Sequence, residues 1–203
     1  MEQLVAAFTT LFVIVDPFGL TPIFLSLTLD MERSTRRRIA VQAASIAFLV
    51  LAGAALAGDW ILRQLGIGLP AFRIAGGLLL FAIAFEMVFE RRSDRRAGSS
   101  ARQAEGDLTV AAVPLAVPLI AGPGAITATI LLAAKAAWHP LALGALLAVI
   151  AAVTACCLAV FLVASRVERF IGRTGQVVLA RLLGVILAAL AVQFVADGVA
   201  AMR

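Results

Sequence analysis

Two short motifs of Pro and Gly interrupt long apolar runs, and they contain the residues best suited to binding chemistry. The first is Asp16-Pro17-Phe18-Gly19-Leu20-Thr21-Pro22, and the second is Gly122-Pro123-Gly124. Proline removes a helical hydrogen bond and glycine eases unwinding, so each motif predicts a broken helix. The freed N–H groups of a broken helix suit a carboxylate, and its freed carbonyls suit an ammonium group, Na⁺ or a proton. A zwitterionic amino acid would match both kinds of group.

Asp16 is the acidic residue placed deepest in an apolar run. It lies about 12 residues into that run, which is roughly 18 Å of helix and near the centre of a hydrocarbon core about 30 Å thick. An ionisable side chain at that depth costs on the order of 3 kcal/mol and is expected to face a cavity or a partner. Alternatively, its carboxylate caps the second half-helix by accepting from the N–H of residue 18 or 19. The two roles are compatible.

The predicted substrate-binding residues lie in or beside the two interruptions: Asp16, Pro17, Gly19, Thr21, Gly122, Pro123, Gly124 and Thr127. Arg73, Arg181 and Gln193 are candidate supporting residues. Each arginine lies at the start of an apolar run, where its charge opposes the helix dipole and a compensating contact is expected. Snorkelling of the side chain to the membrane interface explains both positions as well. Gln193 is equally suited to a hydrogen bond between helices.

The elements that must position these residues are membrane-spanning helices. Of the 203 residues, 63% are apolar and 14% are charged, which excludes an ordinary soluble domain. Apolar runs of roughly 20 residues predict an all-α membrane protein, since the strands of a membrane barrel would alternate in units of about 10. The six predicted spans cover residues 4–29, 37–57, 69–89, 108–133, 141–165 and 176–200.

The six spans divide into two similar halves. Residues 72–80 align with residues 180–188, with Arg73 over Arg181 and Gly76 over Gly184, and a similar offset places Pro17 over Pro123. Because each half has three spans, the second half must enter the membrane from the opposite side. The sequence predicts a 3+3 inverted-topology repeat with spans 1 and 4 discontinuous near the midplane. Its units are residues 1–90, a cytoplasmic linker at 91–107, and residues 108–203.

The loop charges predict the orientation. The loops after spans 1, 3 and 5 carry twelve arginines, whereas the other loops and the C-terminus carry three basic residues. The positive-inside rule then places the arginine-rich loops in the cytoplasm and both termini outside, in a multi-pass inner-membrane protein. Linker 91–107 is expected to be a solvated loop that sets topology, with contact to anionic lipid as the alternative.

Several function classes have no support in the residues. The basic residues form no single patch among aromatics, so nucleic-acid binding is not expected. Cys156 and Cys157 are adjacent in an apolar run and are expected to be free, and His139 has no acidic or Cys cluster near it, so neither a disulfide nor a metal site is expected. No constellation for hydrolysis or phosphotransfer shares the depth of Asp16, so an enzyme is not expected.

The ordered motifs resemble the MarC family of bacterial inner-membrane proteins. The matching stretches are Asp16-Pro17-x-Gly19-x-x-Pro22-x-Phe24, residues 72–77, Pro114 to Ile126, and Arg181-x-x-Gly184 running on to Val192-Gln193. The resemblance implies a six-span membrane protein, with some relatives regarded as transporters of small neutral amino acids. It also implies that residues 16–22 and 122–127 hold the substrate. Position 16 of the family admits Asn as well as Asp.

These observations favour a secondary transporter or exporter of small solutes, in particular small neutral amino acids, that works by alternating access. The lipid bilayer and an amino-acid substrate are the expected partners, a homo-oligomer is compatible with the pattern, and no cofactor is expected beyond a coupling H⁺ or Na⁺. The alternatives are a permease or channel subunit of a larger complex, or a membrane assembly protein that transports nothing. No Walker A motif is present, so the chain is not expected to be an ATP-driven motor.

Overall fold

A computed structural model describes residues 2–28, 31–89, 115–135 and 140–202, and every regular element within them is helical. The elements are seven α-helices and one π-helical turn in the order α1 (Glu2–Val15), α2 (Thr21–Leu27), α3 (Arg33–Gln64), α4 (Leu69–Val88), the π turn (Leu115–Ile120), α5 (Pro123–Lys135), α6 (Pro140–Leu162) and α7 (Ala164–Ala200). The all-α prediction is confirmed for these residues. The linker 91–107 and the predicted start of span 4 lie outside them.

Four of the helices are long and apolar enough to cross a membrane. They are α3, α4, α6 and the Val177–Ala200 part of α7, and they correspond to predicted spans 2, 3, 5 and 6. Predicted span 1 corresponds to α1 and α2, and the described part of span 4 corresponds to the π turn and α5. The apolar stretches Leu4–Val15 and Pro123–Lys135 are shorter than a full span. A multi-pass membrane protein is therefore supported.

Two long helices extend beyond the apolar runs that predicted them. Helix α3 begins four residues before span 2 and continues past it to Gln64, where the Arg63 guanidinium pairs with Asp59 at 2.9 Å. Helix α7 begins well before span 6 and changes direction at Gly172, whose φ of 66° only glycine adopts readily. Hydropathy marks only the part of a helix inside the hydrocarbon, so the polar turns at these ends escaped it.

Helices α4 and α7 pack antiparallel through glycines. A Cβ atom added at Gly77 would lie 2.8 Å from the Ala191 carbonyl oxygen, and one added at Gly198 would lie 3.0 Å from the Pro70 carbonyl oxygen. The contact runs from Pro70 to Gly77 on α4 and from Gly198 to Ala191 on α7, so the two helices are antiparallel and their backbones approach closely over several turns. Small residues allow this approach, which van der Waals packing and hydrogen bonding stabilise in lipid.

The other helices pack around α1, α2 and α5. Phe24 of α2 stacks on Phe161 of α6 with ring centroids 4.6 Å apart, and both side chains are fully buried. Gly58 of α3 faces the Ile130 side chain of α5. Large apolar side chains such as Leu49 and Leu78 are exposed on the outer faces of the long helices. These faces suit contact with lipid.

Candidate functional site

The first part of the candidate site is the turn between α1 and α2. Asp16 has a φ of 51°, the left-handed region, and its N–H donates to the Phe12 carbonyl at 2.9 Å, which completes α1. Pro17 disfavours a right-handed helical conformation for the residue before it, and Asp is one of the few residues that tolerates the left-handed one. The chain therefore leaves the helix at Asp16 for local reasons.

The Asp16 carboxylate folds back over this turn. Its Oδ1 accepts a hydrogen bond from the Gly19 N–H at 3.1 Å, and only 3% of the residue is exposed. A Cβ atom at Gly19 would overlap the carboxylate, so the turn needs glycine there. The predicted bond to the N–H of residue 18 or 19 is thus present. The N-cap of α2, however, is Leu20, and the carboxylate closes the preceding turn.

Thr21 adds a second internal bond at the start of α2. Its hydroxyl donates to the Pro17 carbonyl at 3.2 Å, and the residue is fully buried. This bond satisfies a carbonyl that the interruption would otherwise leave without a donor. Backbone bonds from Leu20 N–H to the Asp16 carbonyl and from Thr21 N–H to the Phe18 carbonyl complete the turn.

The second part of the site lies between the π turn and α5. The Ala121 N–H donates to the Ala116 carbonyl at 2.8 Å, five residues back, and Val117 has extended backbone angles inside the turn. Helix α5 then begins at Pro123, a position where the missing N–H costs no helical bond. Irregular backbone is thus present near each of the two predicted interruptions.

The two parts meet beside the middle of α4. A Cβ atom at Gly124 would lie 2.8 Å from Ile83 Cδ1, 2.9 Å from Leu80 Cδ2 and 3.4 Å from Ile14 Cγ2, the last of which belongs to the final turn of α1. One turn further along α5, Thr127 packs directly on Gly76 of α4. The structure therefore brings the end of α1 and the start of α5 together at the same level of the bundle.

Most of the predicted substrate residues are enclosed. The buried ones are Asp16, Pro17, Thr21, Gly122, Gly124 and Thr127, while Gly19 is half-buried and Pro123 is exposed. The site is therefore closed in this conformation, with its carboxylate and two threonines inside the packed bundle.

The three supporting candidates lie outside this buried group. Arg73 is half-buried on α4, about 10 Å along the helix axis from Leu80 at 1.5 Å per residue. Arg181 and Gln193 are exposed on α7. The Gln193 Nε2 donates to Asp197 Oδ1 at 2.7 Å within the same helix, in contrast to the bond between helices that the sequence suggested.

Some residues at the site escaped the sequence reasoning. Ile14, Leu80 and Ile83 form apolar walls around the start of α5. No spacing signal marks these residues, because they belong to different helices. Within the described ranges, no three His, Cys, Asp or Glu side chains are grouped as a metal site would require.

Comparison with known proteins places the whole chain in one family. The sequence model of the family described as "MarC family integral membrane protein" matches residues 1–203. The chain is 36% identical over 202 residues to a UPF0056 membrane protein of Methanocaldococcus jannaschii, covering 98% of this chain and 97% of that protein. It is 38% identical over 198 residues to one of Archaeoglobus fulgidus, covering 96% and 91%, and 33% identical over 197 residues to one of Escherichia coli, covering 95% and 89%. No solved structure matches the chain.

Proposed function

The chain belongs to the MarC family of integral membrane proteins, and on that premise we propose that it is a secondary transporter of small neutral amino acids. In this proposal it lies in the inner membrane with six spans, arranged as a 3+3 inverted repeat with both termini outside. Spans 1 and 4 are the discontinuous ones, and alternating access takes place around the site between them.

The observation that carries the proposal is the meeting of α1 and α5 beside a buried carboxylate. The contacts of Gly124 and Thr127 fall on α4 between Gly76 and Ile83, which is the central part of Leu69–Val88. A helix that just spans the hydrocarbon places its central residues at the midplane. A carboxylate kept at that depth costs on the order of 3 kcal/mol and calls for a functional reason.

The pairing of α4 with α7 supports the inverted repeat. Gly76 and Gly184 occupy equivalent positions in the two aligned halves, and Gly184 packs against α4, where an added Cβ would lie 3.2 Å from the Ala84 carbonyl oxygen. Equivalent helices of inverted halves run in opposite directions, as α4 and α7 do. Helices related by a pseudo-two-fold axis in the membrane plane run in opposite directions in this way, and transporters built from such repeats work largely by rocking one half against the other.

The chemistry of the site suits a small neutral amino acid. The Asp16 carboxylate would bind the substrate ammonium group, and the first N–H groups of the 13-residue α5 would bind its carboxylate. The walls formed by Ile14, Leu80 and Ile83 would accept a short apolar side chain and disfavour a charged one. Since the site is closed here, substrate entry requires the Asp16 turn and α5 to separate.

Counterflow in proteoliposomes tests this proposal. We expect saturable exchange of one class of neutral amino acid, and loss of at least about 90% of it in Asp16→Ala and in Gly124→Leu because both changes act at the site. Runs with and without Na⁺ and pH gradients identify the coupling ion. Gly144→Leu is the matched control, because nothing lies within 4 Å of a Cβ atom at that position.

Two results would contradict the proposal. Full exchange in both site variants would remove the broken-helix site, and non-saturable flux without counterflow would indicate a channel. Gly124→Ala provides a milder variant should the leucine disturb folding, and circular dichroism of each purified variant separates loss of transport from loss of structure.

A further inference from the structure

A second site lies at the arginine-rich end of the bundle, where the start of α3 meets the junction of α6 and α7. The structure has a cavity of about 280 Å³ there. It is lined by Arg33, Arg36, Arg37, Phe161, Leu162, Val163 and Arg166. Residues from two distant parts of the sequence thus line one space, and four of them are arginines.

The charges around this cavity are uncompensated within the described residues. None of the lining residues is acidic, and the carboxylate of Asp59, which pairs with Arg63, lies at the other end of α3. Glu32 precedes the cluster, but its carboxylate accepts from the Ser34 hydroxyl and does not line the cavity. Three of the cations also occupy the first turns of a 32-residue helix, where the dipole favours an anion.

Arg36 is held in place by α2 rather than by a carboxylate. Its Nη2 donates to the Thr28 carbonyl at 3.0 Å, at the C-terminus of that helix. Its Nε is buried and has no acceptor among the described residues. The guanidinium therefore has a fixed position and a positive charge that an added anion would neutralise.

Exposed apolar side chains adjoin the cations. Leu162 is 50% exposed and Val163 is 38% exposed at the end of α6, which is one of the helices long enough to span the membrane. Cations beside exposed apolar surface at the end of a span match a phospholipid. Its phosphate lies at the level of the cations, and its acyl chains lie at the level of the apolar side chains. Inorganic phosphate would contact the arginines but would have no use for the apolar side chains beside them.

We propose that this cavity binds the phosphate of an anionic membrane phospholipid, with the headgroup among Arg33, Arg36, Arg37 and Arg166 and an acyl chain along Leu162 and Val163. The site is separate from the Asp16 region and does not depend on what the protein transports. The positive-inside rule explains why arginines lie on this side of the membrane but not why four of them share one cavity.

Lipid titration of the delipidated full chain in neutral detergent, followed by native mass spectrometry, tests the proposal. We expect phosphatidylglycerol to bind at least about tenfold more tightly than phosphatidylcholine, and Arg33→Gln/Arg166→Gln to weaken it by about tenfold or more. That double variant leaves the bond from Arg36 to Thr28 intact. Arg38→Gln/Arg63→Gln removes the same net charge outside the cavity and should leave the affinity within about twofold.

Three outcomes would overturn the proposal. Equal weakening by the control pair would mean a diffuse electrostatic attraction, and equal binding of phosphatidylcholine would remove the need for an anionic lipid. Displacement of phosphatidylglycerol by millimolar inorganic phosphate at constant ionic strength would identify a free-phosphate site instead.

Discussion

At the scale of single residues, the Asp16 turn depends on the identities of two residues, Asp16 and Gly19. Asp tolerates the φ of 51° and supplies an acceptor for the Gly19 N–H, while Gly19 leaves the space that the carboxylate fills. Both functions can be met by an amide, because Asn also tolerates the left-handed region and its side-chain oxygen accepts the same bond. The structural role of Asp16 is therefore separable from its charge.

This separation predicts different effects of two substitutions on stability. Asp16→Asn should change the free energy of unfolding by less than about 1 kcal/mol, whereas Asp16→Ala should lower it by about 2 kcal/mol, since it removes the acceptor and keeps an unfavourable φ. Unfolding in mixed micelles followed by circular dichroism measures both. Equal destabilisation by the two changes would show that the charge itself holds the turn.

At the scale of elements, α4 and α7 form a pair whose contact depends on glycine. Their backbones approach through Gly77, Gly184 and Gly198, and each of these positions would place a Cβ atom within 3.2 Å of a carbonyl oxygen on the other helix. Lipid tails are as apolar as leucine side chains, so burial of apolar area does not hold such helices together. Close van der Waals packing does, and it is lost when the backbones are forced apart.

Enlarging one of these glycines should therefore destabilise the bundle. We expect Gly77→Leu to lower the free energy of unfolding by at least about 2 kcal/mol because the side chain must displace α7. Gly144→Leu gains the same helix propensity in open space and should not lower the free energy of unfolding. The same mixed-micelle unfolding measures the pair, and equal effects would argue against the close contact of α4 with α7.

At the scale of the whole molecule, two arginine-rich parts of the described chain, the start of α3 and the start of α7, come together at one end of the bundle. Arg33 and Arg166 line the same cavity, although they lie on opposite sides of the predicted linker in the sequence. The other end holds the turn after α3 and the end of α7, since Gly198 packs on the Pro70 backbone. The positive-inside rule predicts that the arginine-rich end faces the cytoplasm, and we propose that orientation.

Cysteine labelling tests the sidedness, in a variant from which the two native cysteines have been removed. With a membrane-impermeant maleimide on intact cells, we expect labelling of Gly66→Cys and Met202→Cys, and protection of Ser34→Cys and Arg166→Cys until the cells are permeabilised. All four positions are exposed in the structure. Labelling of both Ser34→Cys and Arg166→Cys without permeabilisation would show the opposite orientation. Labelling of only one of the two would contradict their location at the same end of the bundle.

Local physics made much of this protein predictable from its sequence. Apolar length alone placed span 3 at 69–89, where α4 covers Leu69–Val88, and span 5 at 141–165, where α6 covers Pro140–Leu162. The interruption at Asp16 and the bond to the N–H of Gly19 were also predictable, because Pro17 and Gly19 act on the backbone within a few residues. The sequence by itself thus determined the class of protein, the positions of α4 and α6, and the interruption at Asp16.

Only the tertiary structure decided which helix faces meet. It placed Gly124 against Ile14 and Leu80, joined Arg33 and Arg166 around one cavity, and left Arg181 and Gln193 on the exterior. The physical reason is the solvent: in lipid the inward and outward faces of a helix are both apolar, so hydropathy does not distinguish them as it does in water. Contacts between residues about a hundred positions apart then depend on shape, which spacing along the chain does not encode.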